Sequence, residues 1–312
     1  METCTNSSKK DGTCYNTIEK EEKNMKEIRI NENDANQRLD KFLEKTFPEL
    51  RKGMMYKAIR NKKIKVNRKR AEFSQILRVD DVILLFLPDD VLIEKEKKIL
   101  HNAKINVVYE DENILVVDKP AGLLSQSAKE GQDCLVERIR TYLYQKGEYN
   151  PKAEHNFAPC ICNRLDRNTS GLVIGAKNAY AAREINAAIR QHLVHKYYHA
   201  KIEGNLRNDI DVTLYLKKID TKALVSTTEQ EGYMKAQMRV HPYKHEKNAT
   251  WIKVELITGR FHQIRACMAF LGYPLAGDRK YGSMRKEDMQ LDAYRIVIDP
   301  IEMELEQNEF KK

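Results

Sequence analysis

No apolar run in this chain of 312 residues is longer than six. The run Val82-Ile83-Leu84-Leu85-Phe86-Leu87 is closed by Pro88, far short of the roughly 20 residues that a membrane-spanning helix needs. A core must therefore be assembled from many short elements, each burying one face. Hydrophobic residues make up 41% of the chain, enough for such a core, and charged residues 32%. That balance excludes a collagen, a mucin and a chain too polar to collapse. The opening METCTNSSKKDGTCYN lacks the apolar segment of a secretory signal. Cys4, Cys14, Cys134, Cys160, Cys162 and Cys267 are scattered through a long chain. This usage fits reduced thiols in the cytoplasm better than a disulfide framework.

Periodicity divides the chain. Residues 1–24 are polar and aperiodic and read as a disordered tail, with Met25 a second candidate start. Residues 25–90 read as a compact first domain. Leu39, Phe42, Leu43 and Phe47 recur as one helical face, ended by Pro48. Met55, Ala58 and Ile59 give a second short helix, Ile64 and Val66 alternate as in a strand, and 82–87 reads as a buried strand. The charged stretch 91–104 reads as a linker. A larger domain, 105–312, carries strand patterns at 107–109, 114–117, 197–202, 234–240, 250–257 and 294–298. Helical patterns fall at 134–145 and 179–193. Because strands and helices mix without βαβ alternation, the fold class expected is α+β, with a mixed, largely antiparallel sheet.

The net charge of +9 is confined to one place. Segment 51–70 holds ten Lys or Arg and no acid, and the remaining chain carries 45 basic and 46 acidic residues. A focused patch suits a polyanion. Arg51, Lys52, Lys57, Arg60, Lys62 and Lys63 fall on the second helix and the turn after it, a surface suited to phosphates. A solvated basic face on a small structural domain is the plainer alternative.

Three segments concentrate polar residues at strand or helix ends. In Asn163-Arg164-Leu165-Asp166-Arg167-Asn168-Thr169-Ser170-Gly171, an Asp between two Arg precedes an apolar strand. It is placed to carry an ionised carboxylate, or to be a salt-bridged turn. In Lys196-Tyr197-Tyr198-His199-Ala200-Lys201-Ile202, strand alternation puts Tyr198, Ala200 and Ile202 on one face. A Tyr there can stack on a base or handle a proton, although on spacing alone ordinary core packing is the favoured reading. In Thr258-Gly259-Arg260-Phe261-His262-Gln263-Ile264-Arg265, a helix starting near His262 puts Arg265 in its first turn. A cation there opposes the helix dipole, so a carboxylate partner is expected.

The segment RLDKFLEKTFPELRKGMMYKAIRNKKIKVN resembles an S4 RNA-binding domain. NRLDRNTSGL, KYYHAKIEG, LITGRFHQIR with LGYPLAGDRKYG, and DENILVVDKPAGLL resemble the RluA/RluD-type pseudouridine synthase family over about residues 105–300. The resemblance implies the pseudouridine synthase fold behind an S4 domain, and an enzyme that isomerises uridine in RNA without a cofactor. It implies Asp166 as the catalytic aspartate, Arg265 as its partner, Tyr198 as the residue packing on the target base, and Arg164 as the side chain entering the RNA stack. It further implies ribosomal RNA of the large subunit as substrate. No metal, no membrane and no obligate protein partner are expected, and the chain is read as a monomer. A tRNA target, a non-catalytic RNA-binding or ribosome-assembly protein, and a base-cleaving glycosidase are the competing readings. Two positions depart from the family pattern: Asn163 stands where His is usual, and Asp80-Asp81 where Gly-Asp is usual. Cys160, Cys162 and His155 lack the second ligand pair that a zinc site needs.

Overall fold

The structure is a computed structural model that describes residues 25–94, 102–127, 129, 131–298 and, for the backbone alone, 301–304. The tail at 1–24 and the middle of the expected linker, 95–101, lie outside the described residues. The chain divides into two compact units. One takes the described residues up to 94 with Pro151–Phe157; the other takes the rest.

In the first unit, helices α1 (Leu39–Thr46) and α2 (Lys52–Arg60) accompany a four-stranded antiparallel sheet. Its strands are β1 (Lys26–Arg29), β2 (Ile64–Val66), β3 (Lys69–Arg70) and β4 (Val82–Leu85), in the order β1-β4-β2-β3. The stripe Leu39, Phe42, Leu43 and Phe47 is wholly buried with Met55, Ile64, Ile83 and Leu85. Helix α1 ends at Thr46 because Pro48 pushes Phe47 out of the helical region, to φ −122° and ψ 85°. Asp80, at the position of the usual Gly, takes φ +66°. An Asp visits that region more readily than most residues. The carboxylate of Asp81 then receives the Arg78 N–H at 2.8 Å and the Asn67 amide at 2.7 Å, which closes the turn into β4.

Residues 151–157 belong to this first unit, whereas periodicity places them inside the second domain. Buried Asp34 accepts the backbone N–H groups of His155 at 3.2 Å and Asn156 at 3.0 Å. The Asn156 amide donates to the Phe42 carbonyl, and the Thr46 hydroxyl donates to the Asn156 side-chain oxygen. The segment is irregular, and a buried carboxylate satisfies its backbone. Such a segment has no hydrophobic period to announce it.

The second unit is built on a sheet of eleven strands among the described residues. They are β5 (Asn106–Glu110), β6 (Ile114–Lys119), β7 (Cys160–Ile161), β8 (Ser170–Ala176), β9 (Val194–Glu203), β10 (Ile210–Ile219), β11 (Lys222–Ser226), β12 (Met234–Glu246), β13 (Ala249–Leu256), β14 (Leu291–Ile298) and β15 (Ile301–Glu304). The main order is β11-β10-β12-β13-β9-β14-β8-β6-β5, with β15 on β14 and β7 on β8. Pairing is antiparallel except for β14 against β8. Helices α3 (Leu135–Gln145), α4 (Ala179–Arg190) and α5 (Gln263–Phe270) complete an α+β domain. Strands β10 and β11 were not separately legible in the sequence; β10 alternates buried Val212, Leu214 and Leu216 with polar neighbours. Where β8 begins, Gly171 lies beside Lys119 of β6 and Ala293 of β14. Its φ is +111°, and a Cβ would fall 2.4 Å from the Ala293 carbonyl oxygen. Only glycine allows that approach.

Candidate active site

Asp166 sits in the loop between β7 and β8, and neighbouring turns pin that loop from several sides. The Ser125 hydroxyl donates to the Leu165 carbonyl at 2.6 Å and accepts the Leu165 N–H at 3.1 Å. Gly122 N–H donates to the Arg167 carbonyl at 2.7 Å, while Arg167 Nε donates to the Gly122 carbonyl at 3.0 Å. Lys119, fully buried, donates from Nζ to the carbonyls of Pro120, Leu123 and Arg167 at 2.9, 2.9 and 3.2 Å. Burial lowers the Lys119 pKa to about 8, against the pull of Asp166 and Asp118. Asn163 has a structural task in this chain. Its Oδ1 accepts the Ile174 N–H at 2.8 Å and its Nδ2 donates to the Leu172 carbonyl at 3.3 Å, fastening the loop to β8.

Arg265 arrives from the other direction. After β13, the Thr258 hydroxyl and the Arg260 N–H both donate to the side-chain oxygen of buried Gln263, each at 2.9 Å. His262 then takes a left-handed φ of +53°, and α5 begins. Arg265 lies in its first turn, where the dipole is adverse. Two carboxylates offset this. Nε and Nη2 donate to both oxygens of Asp278, at 2.7 and 2.9 Å, and Nη1 donates to Asp166 Oδ2 at 2.9 Å. Burial pulls the Arg265 pKa down, but Asp278 and Asp166 together hold it above its ordinary value. Asp278 is itself buried, and it follows Gly277, whose φ is +81°. A Cβ on Gly277 would fall 2.3 Å from the Glu287 carbonyl oxygen, so this turn also requires glycine.

Asp166, Arg265, Tyr198 and Arg164 all line one cleft of about 1270 Å³. Tyr198 is buried on β9, and its pKa is pushed up by burial and by the charges of Asp166 and Asp292. It is therefore a phenol rather than a phenolate at neutral pH. Arg164 is exposed at the cleft, and Lys196, two residues before Tyr198, also lines it, with its pKa lowered by burial. His192, just after α4, has its Nδ1 3.1 Å from the Ile257 carbonyl. Arg51, Lys52, Lys57, Arg60, Lys62 and Lys63 are exposed in the first unit and make no ion pair among the described residues.

The sequence thus pointed to Asp166, Arg265, Tyr198 and Arg164, and the fold brings all four to one place. It did not single out Asp278, Lys119, His262 or Tyr281. The signal for Asp278 was present as an acid between Gly277 and Arg279 in a turn otherwise unexplained. Nothing in the spacing says that it faces a residue thirteen positions earlier.

Solved structures share this architecture. The human proteins RNA Pseudouridylate Synthase Domain Containing 4 and Domain Containing 1 each superpose with a TM-score of 0.53, at 17% and 20% identity. They cover 66% and 68% of this chain, and the matches span 89% and 84% of theirs. This defines the class of fold. The RNA pseudouridylate synthase family model matches residues 113–270, and the S4 domain model matches residues 37–83. A protein named "Uncharacterized RNA pseudouridine synthase" in Mycoplasma capricolum subsp. capricolum is 33% identical over 90% of this chain and 94% of its own length. The "Ribosomal large subunit pseudouridine synthase C" of Vibrio vulnificus is 29% identical over 86% of this chain and 82% of its own. The chain belongs to the RNA pseudouridylate synthase family, with an S4 domain ahead of its catalytic domain, and is an RNA-binding isomerase.

Proposed function

We propose that this protein isomerises uridine to pseudouridine in large-subunit ribosomal RNA, with Asp166 as the nucleophile. The ribosomal target is supported by relatives named for that reaction class in Vibrio vulnificus and Rickettsia felis, each 29% identical. The observation that carries the catalytic assignment is one buried guanidinium, Arg265, bridging Asp166 and Asp278 in the cleft that Tyr198 lines. A target uridine leaves its stack at a cost of a few kcal/mol, least in loops and bulges. Arg164 takes the place it leaves, and the ring of Tyr198 packs on the extruded base. The rearrangement breaks N1–C1′ and joins C5 to C1′; N1 gains a proton and C5 gives one up. It needs neither a redox change nor a group donor, so the fold's own side chains suffice. Attack by a carboxylate divides it into easier steps. Arg265 Nη1, 2.9 Å from Asp166 Oδ2, sets a fixed positive charge against that carboxylate while the base excludes water. The exposed cations of the S4 domain, Arg51, Lys52, Lys57, Arg60, Lys62 and Lys63, anchor the RNA through its phosphates.

Purified protein with ribosomal RNA tritiated at uridine C5 tests this. Wild type releases tritium and leaves the strand intact, whereas a glycosidase would leave abasic sites. Asp166→Asn loses turnover by at least about a thousandfold while keeping its affinity for RNA. Normal tritium release by that variant would overturn the assignment. Mapping pseudouridines in ribosomal and transfer RNA from a strain lacking the protein decides the target, and loss in tRNA alone would refute the ribosomal one.

A further inference from the structure

A second pair of side chains converges on Asp166. His262 Nε2 lies 3.5 Å from Asp166 Oδ2, and His262 Nδ1 lies 2.8 Å from the Tyr281 hydroxyl oxygen. The Ala223 backbone N–H donates to that same hydroxyl oxygen at 2.8 Å. A phenol has one hydrogen to give. The Tyr281 oxygen is already an acceptor toward Ala223, and Nδ1 is the one acceptor its hydrogen meets among the described residues.

We infer that Tyr281 locks His262 in the tautomer whose hydrogen sits on Nε2, so that a donor rather than a lone pair faces the nucleophilic carboxylate. This rests on the reading of Asp166 as nucleophile. The imidazole is neutral at physiological pH. Burial lowers its pKa to about 4, with Arg265 and Lys280 acting in the same direction and Asp166 and Asp278 against it. The Phe261 ring stacks on it at 3.8 Å, and the left-handed backbone at His262 sets its direction. In a neutral imidazole, a hydrogen bond accepted at one nitrogen decides what the other presents. With the hydrogen on Nε2, a partial positive charge faces Oδ2; with the other tautomer, two lone pairs would oppose each other. At 3.5 Å the contact is a directed electrostatic one rather than a short hydrogen bond. Arg265 Nη1 also addresses Oδ2, so both contacts converge on one oxygen and none falls on Oδ1 among the described residues. The carboxylate is thereby held in one rotation, with Oδ1 left to form the covalent bond. His262 and Tyr281 are positioning residues in this scheme.

The test uses the full chain. Nitrogen-15 NMR of histidine-labelled protein reads the tautomer without reference to catalysis. Wild type shows His262 neutral with its hydrogen on Nε2 at pH 7, and Tyr281→Phe, which keeps the ring, shows a mixture. In single-turnover tritium release, Tyr281→Phe slows the chemical step about tenfold with RNA affinity unchanged. His262→Gln, whose amide nitrogen reaches as far as Nε2, stays within about threefold of wild type, whereas His262→Asn, whose amide mimics Nδ1, loses about tenfold. A role confined to the left-handed backbone gives the reverse order, because Asn is the better residue there. Asn outperforming Gln, or a wild-type His262 carrying its hydrogen on Nδ1 or on both nitrogens, would refute the lock. If His262→Gln does not fold, the NMR of wild type and Tyr281→Phe decides. Turnover by Asp166→Asn would instead refute the nucleophile and leave the tautomer result standing.

Discussion

The two units carry positive charge in opposite ways. In the S4 domain, the cations at 51, 52, 57, 60, 62 and 63 are exposed and free of ion pairs among the described residues. In the catalytic domain, Arg265 and Lys119 are buried, and their donors meet carboxylates and backbone carbonyls. Exposed charges sum as a field toward a polyanion, and each contributes a little. Buried charges act through geometry, and each depends on its partners. One arrangement suits holding an RNA in many registers; the other suits holding one carboxylate in a single orientation.

That contrast is open to direct attack. The largest loss of stability is expected at Asp278→Asn, which leaves a buried guanidinium with one carboxylate. Unfolding free energy should fall by about 3 kcal/mol, and turnover by about a hundredfold as Arg265 shifts against Asp166. Denaturant titration and tritium release measure the two. A variant with wild-type stability would show that the pairing is not what holds Arg265.

Lys119→Met comes next. It removes the donor to three carbonyls, including that of Arg167 beside Asp166. Burying an ammonium has a cost of its own, so a net loss of about 2 kcal/mol is expected. Lys119 also predicts a pH signature. Its folded pKa is near 8 and its ordinary value 10.5, so between those values the unfolded chain binds the extra proton. Stability therefore gains from this group as pH rises through the window, and the gain disappears in Lys119→Met.

His199 gives an acid counterpart. It stacks on Tyr294 at 3.8 Å, and burial with nearby Lys253 lowers its pKa from 6.5 to about 4. Below pH 6.5 the unfolded chain takes up a proton that the folded chain refuses. Stability falls as pH drops toward 4, by up to about 1.4 kcal/mol per pH unit. His199→Phe, retaining the stack, should flatten that slope in thermal melts across pH.

The smallest effect belongs to the exposed patch. Arg60→Ala should change stability by less than about 0.5 kcal/mol. It should weaken RNA binding a few fold and reduce the slope of log affinity against log salt by about 0.7. An unchanged slope would remove Arg60 from the RNA surface, and a large loss of stability would erase the contrast between the units.

Much of this was legible in the residues. The stripe at Leu39, Phe42, Leu43 and Phe47 announced α1, because a helix that buries one side must repeat near 3.6. The strands around β6 and β13 announced themselves by apolar runs and alternation. The adverse position of Arg265 at a helix start called for a carboxylate, and Asp166 answers it. The second carboxylate, Asp278, is not legible in the spacing, because bidentate pairing depends on where a turn after α5 returns. Residues 151–157 carry no period of their own for the same reason: what holds them is hydrogen bonding to Asp34 and Phe42, more than a hundred positions away.

What the chain encoded by itself was local. Periodicity set the elements, glycines at 171 and 277 marked the close approaches, and the run from 51 to 70 concentrated charge. What only the tertiary structure decided was which polar groups meet. Asp166 and Arg265 are 99 positions apart, and Tyr281 reaches both His262 and the Ala223 backbone across separate elements. A hydrophobic period can be read along a sequence because water imposes it on each element separately. A hydrogen bond between distant residues has no such period, since its donor and acceptor are brought together only when the sheet closes around them.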